Sequence, residues 1–179
     1  MYDNGNGVPT DADSAIKWYT LAAKQGNASA PHNLGFMYRT GKGVLKDTRT
    51  ALKWYKAAAK QGNPESAFTL GLMHSRGDGI PKDYKEAVKW FRLGAKKGHI
   101  SSLVNLGKSY WFGQGVRRDA IYSHMWLDIG AKSGDKDAIK ARDIIAKTMT
   151  PAQFTKAKKL ARDCIHKKYM GCEDQNTLF

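Results

Sequence analysis

The side chains that could do chemistry are few in this sequence, and they are scattered. Among its 179 residues are five histidines and 16 acidic residues, but no HExxH, CxxC or GxxxxGK[ST] motif and no serine nucleophile elbow. The histidines are His32, His74, His99, His124 and His166. A lone histidine on a helix is more often a packing or surface residue than a ligand. We therefore expect no enzyme activity, no metal site and no cofactor.

Two cysteines, Cys164 and Cys172, lie eight residues apart near the C-terminus. Two thiols do not make a disulfide framework, and a metal site needs more ligands than two sulfur atoms. In an oxidising compartment the pair could form one disulfide that fastens the end of the chain. Free thiols in a cytoplasmic protein are the alternative.

The charge is strongly basic, because 30 Lys and Arg residues oppose 16 Asp and Glu residues to give a net charge of +14. Residues 46–97 contain twelve basic and five acidic residues, which is half of the excess. This balance favours a partner with acidic character. The sequence has no apolar run of about 18 residues, so we expect no insertion into a membrane.

A period of 36 residues organises most of the chain. Trp18, Trp54, Trp90 and Trp126 follow one another at this interval. The same interval relates glycines, aspartates and alanines: Gly5, Gly41, Gly77 and Gly113; Asp11, Asp47, Asp83 and Asp119; Ala23, Ala59, Ala95 and Ala131. Self-similarity at a fixed period is the signature of a repeat architecture.

Each period is predicted to contain two helices. The first covers residues 28–39 and ends at Gly41 and Gly43, which permit a positive φ and turn the chain. No strand precedes this GxG, so it is a turn and not a phosphate-binding loop. Asp47 is expected to cap the second helix, which Gly62 ends. The predicted buried stripe of the second helix consists of Ala51, Trp54, Tyr55 and Ala58.

The pattern xxNLGxMYxxGxGVxxDxxxAxxWYxxAAxQG, clearest at residues 31–62, resembles the Sel-1-like repeat family, a relative of the tetratricopeptide repeats. The resemblance implies an all-α fold, a right-handed α-solenoid of antiparallel helix pairs. It covers residues 1–134, with a partial repeat at 1–26 and full repeats at 27–62, 63–98 and 99–134. Met1 and Tyr2 occupy the positions of Met37 and Tyr38, so we expect the natural protein to extend upstream with at least one helix and a possible signal peptide.

Residues 135–179 are predicted to hold a degenerate repeat helix, a C-terminal capping helix and a tail. Thr150, Pro151 and Gln153 fit a capping box that opens a helix reaching about Tyr169. Its apolar face is expected to cover the last repeat. Its basic residues are expected to stay in solvent: Lys156, Lys158, Lys159, Arg162, Lys167 and Lys168.

The resemblance also assigns a concave groove to the first helices, where non-core positions would bind a partner. These positions are Ser29, His32, Phe36, Arg39, Glu65, Phe68, Leu72, Ser75, Ser101, Val104, Lys108 and Trp111. Apolar groove residues resemble interface anchors, although packing against neighbouring repeats would explain them equally well. The predicted second helices carry a row of basic residues: Lys53, Lys56, Lys60, Lys85, Lys89, Arg92 and Lys96. These residues indicate either a solvated outer surface or a surface for an acidic partner. No nucleic-acid recognition motif accompanies them.

The resemblance implies a non-enzymatic scaffold or adaptor that binds a protein or peptide in this groove, in a bacterial envelope assembly or as an immunity factor against a toxin. A cell-wall or polysaccharide scaffold is the alternative, because groove aromatics can stack on sugars. Hydrolysis of peptidoglycan or β-lactams is a weaker one. Exported relatives end in a similar helix, and cysteine-rich relatives pair cysteines eight residues apart, which favours a disulfide and a periplasmic or otherwise exported location over a cytoplasmic one.

Overall fold

The computed structural model describes residues 11–172, and within this range the secondary structure consists of nine α-helices and no strand. The helices are α1 (Ala12–Lys24), α2 (Ser29–Thr40), α3 (Thr48–Lys60), α4 (Pro64–Arg76), α5 (Tyr84–Ala95), α6 (Ile100–Phe112), α7 (Ala120–Ala131), α8 (Lys136–Ala146) and α9 (Pro151–His166). Even-numbered helices up to α6 are the first helices of the repeats, and odd-numbered ones up to α7 are the second helices. The predicted positions of Met1 and Tyr2 lie outside the described residues.

The fold is a helical solenoid of repeats of about 36 residues, as the sequence predicts. The chain divides into two compact units between Leu70 and Gly71, within α4. In unit 1, α2 packs on both α1 and α3. In unit 2, α6 packs on α5 and α7, and α7 also packs on α8 and α9.

The aspartate ladder caps the second helices. Asp47 Oδ1 accepts hydrogen bonds from the backbone N–H groups of Arg49 and Thr50, so the predicted cap is confirmed. Asp11, Asp83 and Asp119 cap α1, α5 and α7 in the same way. The loop before each cap repeats as well, since the N–H of Asp47 donates to the carbonyl of Tyr38 at 2.9 Å. Sequence periodicity therefore fixes both the start of each second helix and the turn that leads to it.

Glycine on the first helices allows the two helices of a repeat to pack closely. A Cβ atom at Gly35 would lie 2.8 Å from Cδ1 of Tyr55 in unit 1. In unit 2 a Cβ atom at Gly71 would lie 2.4 Å from Cε1 of Phe91. Real Cβ contacts are longer than this, so an aromatic ring of the second helix occupies the space that a side chain would need.

The buried stripe of α3 differs from the prediction at one residue. Ala51, Tyr55 and Ala58 are at most 1% exposed, whereas Trp54 remains half-exposed. Trp18, at the same repeat position in α1, is 57% exposed. Trp18 and Trp54 thus lie on the flank of their helices, whereas Trp126, at the same position in α7, is 2% exposed.

The C-terminal segment forms the predicted capping helix. Thr150 and Gln153 make a reciprocal capping box with Pro151 at the first helical turn. The helix ends at His166, three residues before the predicted end, and a disulfide joins Cys164 to Cys172.

Lys158 is not free in solvent as predicted. Its Nζ atom lies 3.0 Å from Oδ1 of Asp128 on α7. Asp128 is only 4% exposed, and Arg142 Nη1 lies 3.6 Å from the same oxygen. The sequence pattern did not show this pairing, because it joins α9, which is outside the repeats, to a position that holds Arg92 or Lys56 in the preceding repeats.

Between residues 11 and 172, the helices are too short or too polar to cross a bilayer. The same residues contain no cluster of three or more His, Cys, Asp and Glu side chains that could hold a metal ion.

Candidate functional site

The predicted groove positions of unit 1 lie on α2 and at the start of α4. Ser29, Phe36 and Glu65 are exposed, while His32, Arg39 and Phe68 are half-buried. The guanidinium of Arg39 lies 5.8 Å from the centre of the Phe36 ring. An aromatic ring that is 41% exposed and stacked under a cation is a usable contact for a partner.

His32 is held by neighbours within unit 1. Its Nδ1 atom lies 2.8 Å from Oγ of the buried Ser66, and its ring lies 5.5 Å from the Tyr55 ring. Burial lowers the pKa of His32 below the usual 6.5, an effect that the charge of Arg39 reinforces and that of Glu65 opposes. A neutral, packed imidazole joins α2, α3 and α4, so this side chain has a structural role.

The predicted positions of unit 2 lie on α4 and α6. Lys108 is exposed, and Leu72, Ser75, Ser101 and Trp111 are half-buried. Two of them are tied to their own helices: Ser75 Oγ donates to the Leu72 carbonyl at 3.0 Å, and the Ser101 carbonyl accepts from Asn105 Nδ2 at 2.8 Å.

Val104 differs from the other predicted positions. It is 5% exposed and belongs to a core cluster with Leu127, Ala131, Ala138 and Ile145. Its side chain therefore packs α6 against α7 and α8, and it offers no surface to a partner.

Two depressions flank α6 in unit 2, and both are lined by Lys108 and Phe112. The first has a volume of about 230 Å³ and includes Ser75, Tyr84 and Asn105. The second, of about 180 Å³, is mostly apolar and is lined as well by Trp111, Leu127, Ala141, Ile144 and Ile145. We call Lys108, Trp111, Phe112 and Ile144 the α6–α8 patch.

Two exposed bulky apolar side chains lie in this patch. Phe112 is 63% exposed and Ile144 is 52% exposed. The guanidinium of Arg118 lies 4.9 Å from the centre of the Trp111 ring, and Lys108 is exposed one turn before Phe112. The patch therefore combines bulky apolar side chains with positive charge.

Phe112 was not among the predicted positions. The positions 36 and 72 residues before it hold Arg76 and Thr40, which are polar. An apolar residue at a helix end where the repeat otherwise has a polar one was a signal available in the sequence. Ile144 of α8 is also exposed and does not join the core.

Comparison with known proteins identifies the repeat. The family model described as Sel1 repeat matches residues 1–27, 28–63, 64–99 and 100–135. No curated protein matches the chain.

Three solved structures of bacterial proteins are similar to this chain. A protective antigen present in uropathogenic Escherichia coli strains, displaying an SLR fold, is 33% identical over 96% of this chain, with a TM-score of 0.80. The chain spans 37% of the length of that protein. A Sel1 repeat protein from Oxalobacter formigenes is 31% identical, with 88% of this chain and 69% of that one covered and a TM-score of 0.72. Cysteine-rich protein B of Helicobacter pylori, at 16% identity, a TM-score of 0.59 and coverage of 76% and 98%, shares the fold.

Proposed function

The chain belongs to the Sel1 repeat family, and from this premise we propose that it is a scaffold without catalytic activity that binds a protein or peptide on its first-helix surface. Sel1 repeat proteins generally mediate protein–protein interactions, and the repeat is a non-catalytic scaffold fold. The α6–α8 patch is the part of this surface that supports the proposal most strongly.

The observation that carries the proposal is the exposure of Phe112 between two depressions. Burying an aromatic side chain of this size is a large favourable term in an interface, and adjacent depressions offer space for side chains of the partner. Phe112 contributes little to its own core, so its apolar surface is not explained by folding. Lys108 and Arg118 beside it favour a partner segment that combines an apolar anchor with acidic residues.

His32, the histidine among the predicted groove positions, supports a binding role over a catalytic one. A general base must be placed to reach substrate, whereas the His32 ring is occupied by Ser66 and Tyr55. The Cys164–Cys172 disulfide supports a location in an oxidising compartment, such as the periplasm. An envelope assembly or a toxin–immunity pair would provide the partner there.

Site-specific photocrosslinking in the native host tests this function. A benzophenone side chain is placed at Phe112 and, as a control, at Lys156, which is exposed on α9. The proposal predicts one defined protein adduct from position 112 and none from position 156. The adduct should be lost in the Lys108→Glu variant, because the charge beside the anchor is reversed.

A different result would redirect the function. Adducts that form equally at positions 112 and 156 would contradict a first-helix binding surface. Retention on purified polysaccharide that Phe112→Ala abolishes, without any protein adduct, would support the glycan-binding alternative instead.

A further inference from the structure

One outer helix face in unit 2 is already a docking site for a helix, and the occupant is α9 of the same chain. Lys158 of α9 pairs with Asp128 of α7, and the Phe154 ring lies edge-on to the His124 ring with their centres 5.1 Å apart. Lys158 follows Phe154 by one turn, as Asp128 follows His124. Most of this α7 face is buried, including Met125, Trp126, Asp128 and Ile129.

The corresponding face of α5, one repeat earlier, has an open depression of about 360 Å³. It is lined by Glu86, Lys89, Trp90, Arg92, Leu93 and Lys96. Adding 36 to each number gives Tyr122, Met125, Trp126, Asp128, Ile129 and Lys132, four of which are the buried α7 residues. Trp90 and Leu93 are half-exposed. The α5 face therefore has the apolar flank of a helix-docking site.

The charge of the α5 face is the reverse of that on α7. Lys89 stands where α7 has Met125, and Arg92 stands where α7 has Asp128. Arg92 Nη2 donates a hydrogen bond to the hydroxyl of the buried Tyr110 on α6 at 3.2 Å, so the exposed cations of this face are the lysines. With Lys85 and Lys96, Lys89 and Arg92 follow the spacing i, i+4, i+7 and i+11, which places them along one side of the helix. In unit 1, α3 carries the same pattern at Arg49, Lys53, Lys56 and Lys60.

We propose that the outer face of α5 docks an acidic amphipathic helix from a partner protein. Apolar residues of that helix would cover Trp90 and Leu93, and its carboxylates would pair with Lys85 and Lys89, which are exposed. Glu86 lies 2.8 Å from Lys89, which is 69% exposed, so the lysine is free to exchange this surface pair for a partner carboxylate. This site does not depend on the function proposed for the α6–α8 patch.

The charges on the described helices select among possible occupants. A second copy of this chain would present α9, whose lysines and arginine the cationic α5 face repels. A nucleic acid would match the charge. However, it would leave the apolar flank of Trp90 and Leu93 without a partner surface, and the α7 precedent shows a helix on this face.

Two peptides with the α9 sequence, residues 151–166, test the proposal directly. Both carry Cys164→Ser, and the acidic one also carries Lys156→Glu, Lys158→Glu and Lys159→Glu. Fluorescence anisotropy with the full chain should show binding of the acidic peptide and none of the basic one. The Lys89→Asp variant should weaken binding of the acidic peptide about tenfold or more.

Control variants separate docking from net charge and from misfolding. Lys156→Asp makes the same charge change at an exposed site and should leave the affinity unchanged. Lys85→Asp, at another exposed residue of this face, should weaken binding of the acidic peptide as well, with circular dichroism confirming the helices of each variant. Phe112→Ala should have no effect on the acidic peptide.

Three results would overturn the proposal. They are the absence of acidic-peptide binding to the wild type, an equal loss in Lys156→Asp and Lys89→Asp, and displacement of the peptide by an oligonucleotide whose tighter binding depends on Lys89. The last result would identify a nucleic-acid surface.

Discussion

The ammonium group of Lys158 donates hydrogen bonds to both carboxylate oxygens of Asp128, at 3.0 and 3.2 Å, across the interface between α9 and α7. The carboxylate is 4% exposed and the lysine side chain is 43% exposed. The burial cost therefore falls mainly on the aspartate, whose buried charge the lysine ammonium offsets.

Replacing Lys158 should destabilise the C-terminal cap. Lys158→Met keeps the aliphatic stem but leaves Asp128 with only Arg142, at 3.6 Å. We expect a loss of about 1 to 3 kcal/mol in the free energy of unfolding, since a buried acceptor loses a charged donor while the lysine itself was partly hydrated. Urea denaturation followed by circular dichroism measures the change.

Lys156→Met is the matched control, because Lys156 is exposed on the same helix. Its effect should stay within about 0.5 kcal/mol. Equal losses in the two variants would mean that the Lys158–Asp128 pair contributes nothing specific to the cap.

Sequence periodicity predicted the repeats because each repeat is defined by local signals. Asp47 is an N-cap, Gly41 adopts a positive φ of 77° at the end of α2, and Tyr55 packs on Gly35. Each role depends on neighbours within about 20 residues or one repeat, so the 36-residue spacing was sufficient to identify it.

Features that depend on α9 or on departures from the repeat could not be predicted in the same way. The Lys158–Asp128 pair needs the docking angle of a helix that has no counterpart in the repeats. Val104 was assigned to the groove by its repeat position, but α7 and α8 cover it in this repeat. Phe112 is the opposite case, because the repeat pattern gives no reason to expect an apolar residue there.

Close packing at Gly71 gives a second stability test. In Gly71→Ala the new Cβ would lie 2.4 and 2.5 Å from two ring carbons of Phe91, which is 2% exposed and has no room to move. We expect a net loss of about 1 to 3 kcal/mol despite the better helix propensity of alanine. Thermal or urea unfolding measures this loss.

Gly130→Ala provides the comparison, since its Cβ would lie 3.1 Å from a Val104 methyl group and 3.5 Å from Ala138. Here the helix-propensity gain of about 0.5 to 1 kcal/mol should offset most of the crowding. A loss at Gly130 as large as that at Gly71 would contradict the proposed role of the glycine–aromatic contact.

The disulfide should stabilise the end of the chain. Reduction of Cys164–Cys172 opens a short loop, for which the chain-entropy model gives about 1 to 3 kcal/mol. The urea midpoint should fall when a reductant is added to the wild type. In Cys164→Ser/Cys172→Ser it should start lower and not respond to the reductant; a wild-type midpoint that ignores complete reduction would show that the bond does not stabilise the fold.

Stability should decrease as the solution becomes acidic, because of His124. Burial lowers the pKa of His124 below the usual 6.5, with a partial opposing effect of Asp128. Below about pH 6.5 the unfolded chain binds a proton that the folded chain does not, so the free energy of unfolding falls with pH until the folded pKa is reached. Burial also lowers the pKa of His32, so this residue changes the free energy of unfolding in the same direction. The capping carboxylates Asp47 and Asp83 have pKa values lowered from 3.8, so they stay ionised above about pH 5 and add no slope in this window.

Urea midpoints measured from about pH 8 to pH 5 should therefore decline in the wild type and decline less in His124→Phe. Identical slopes for the two proteins would show that His124 is protonated as easily in the folded chain as in the unfolded one.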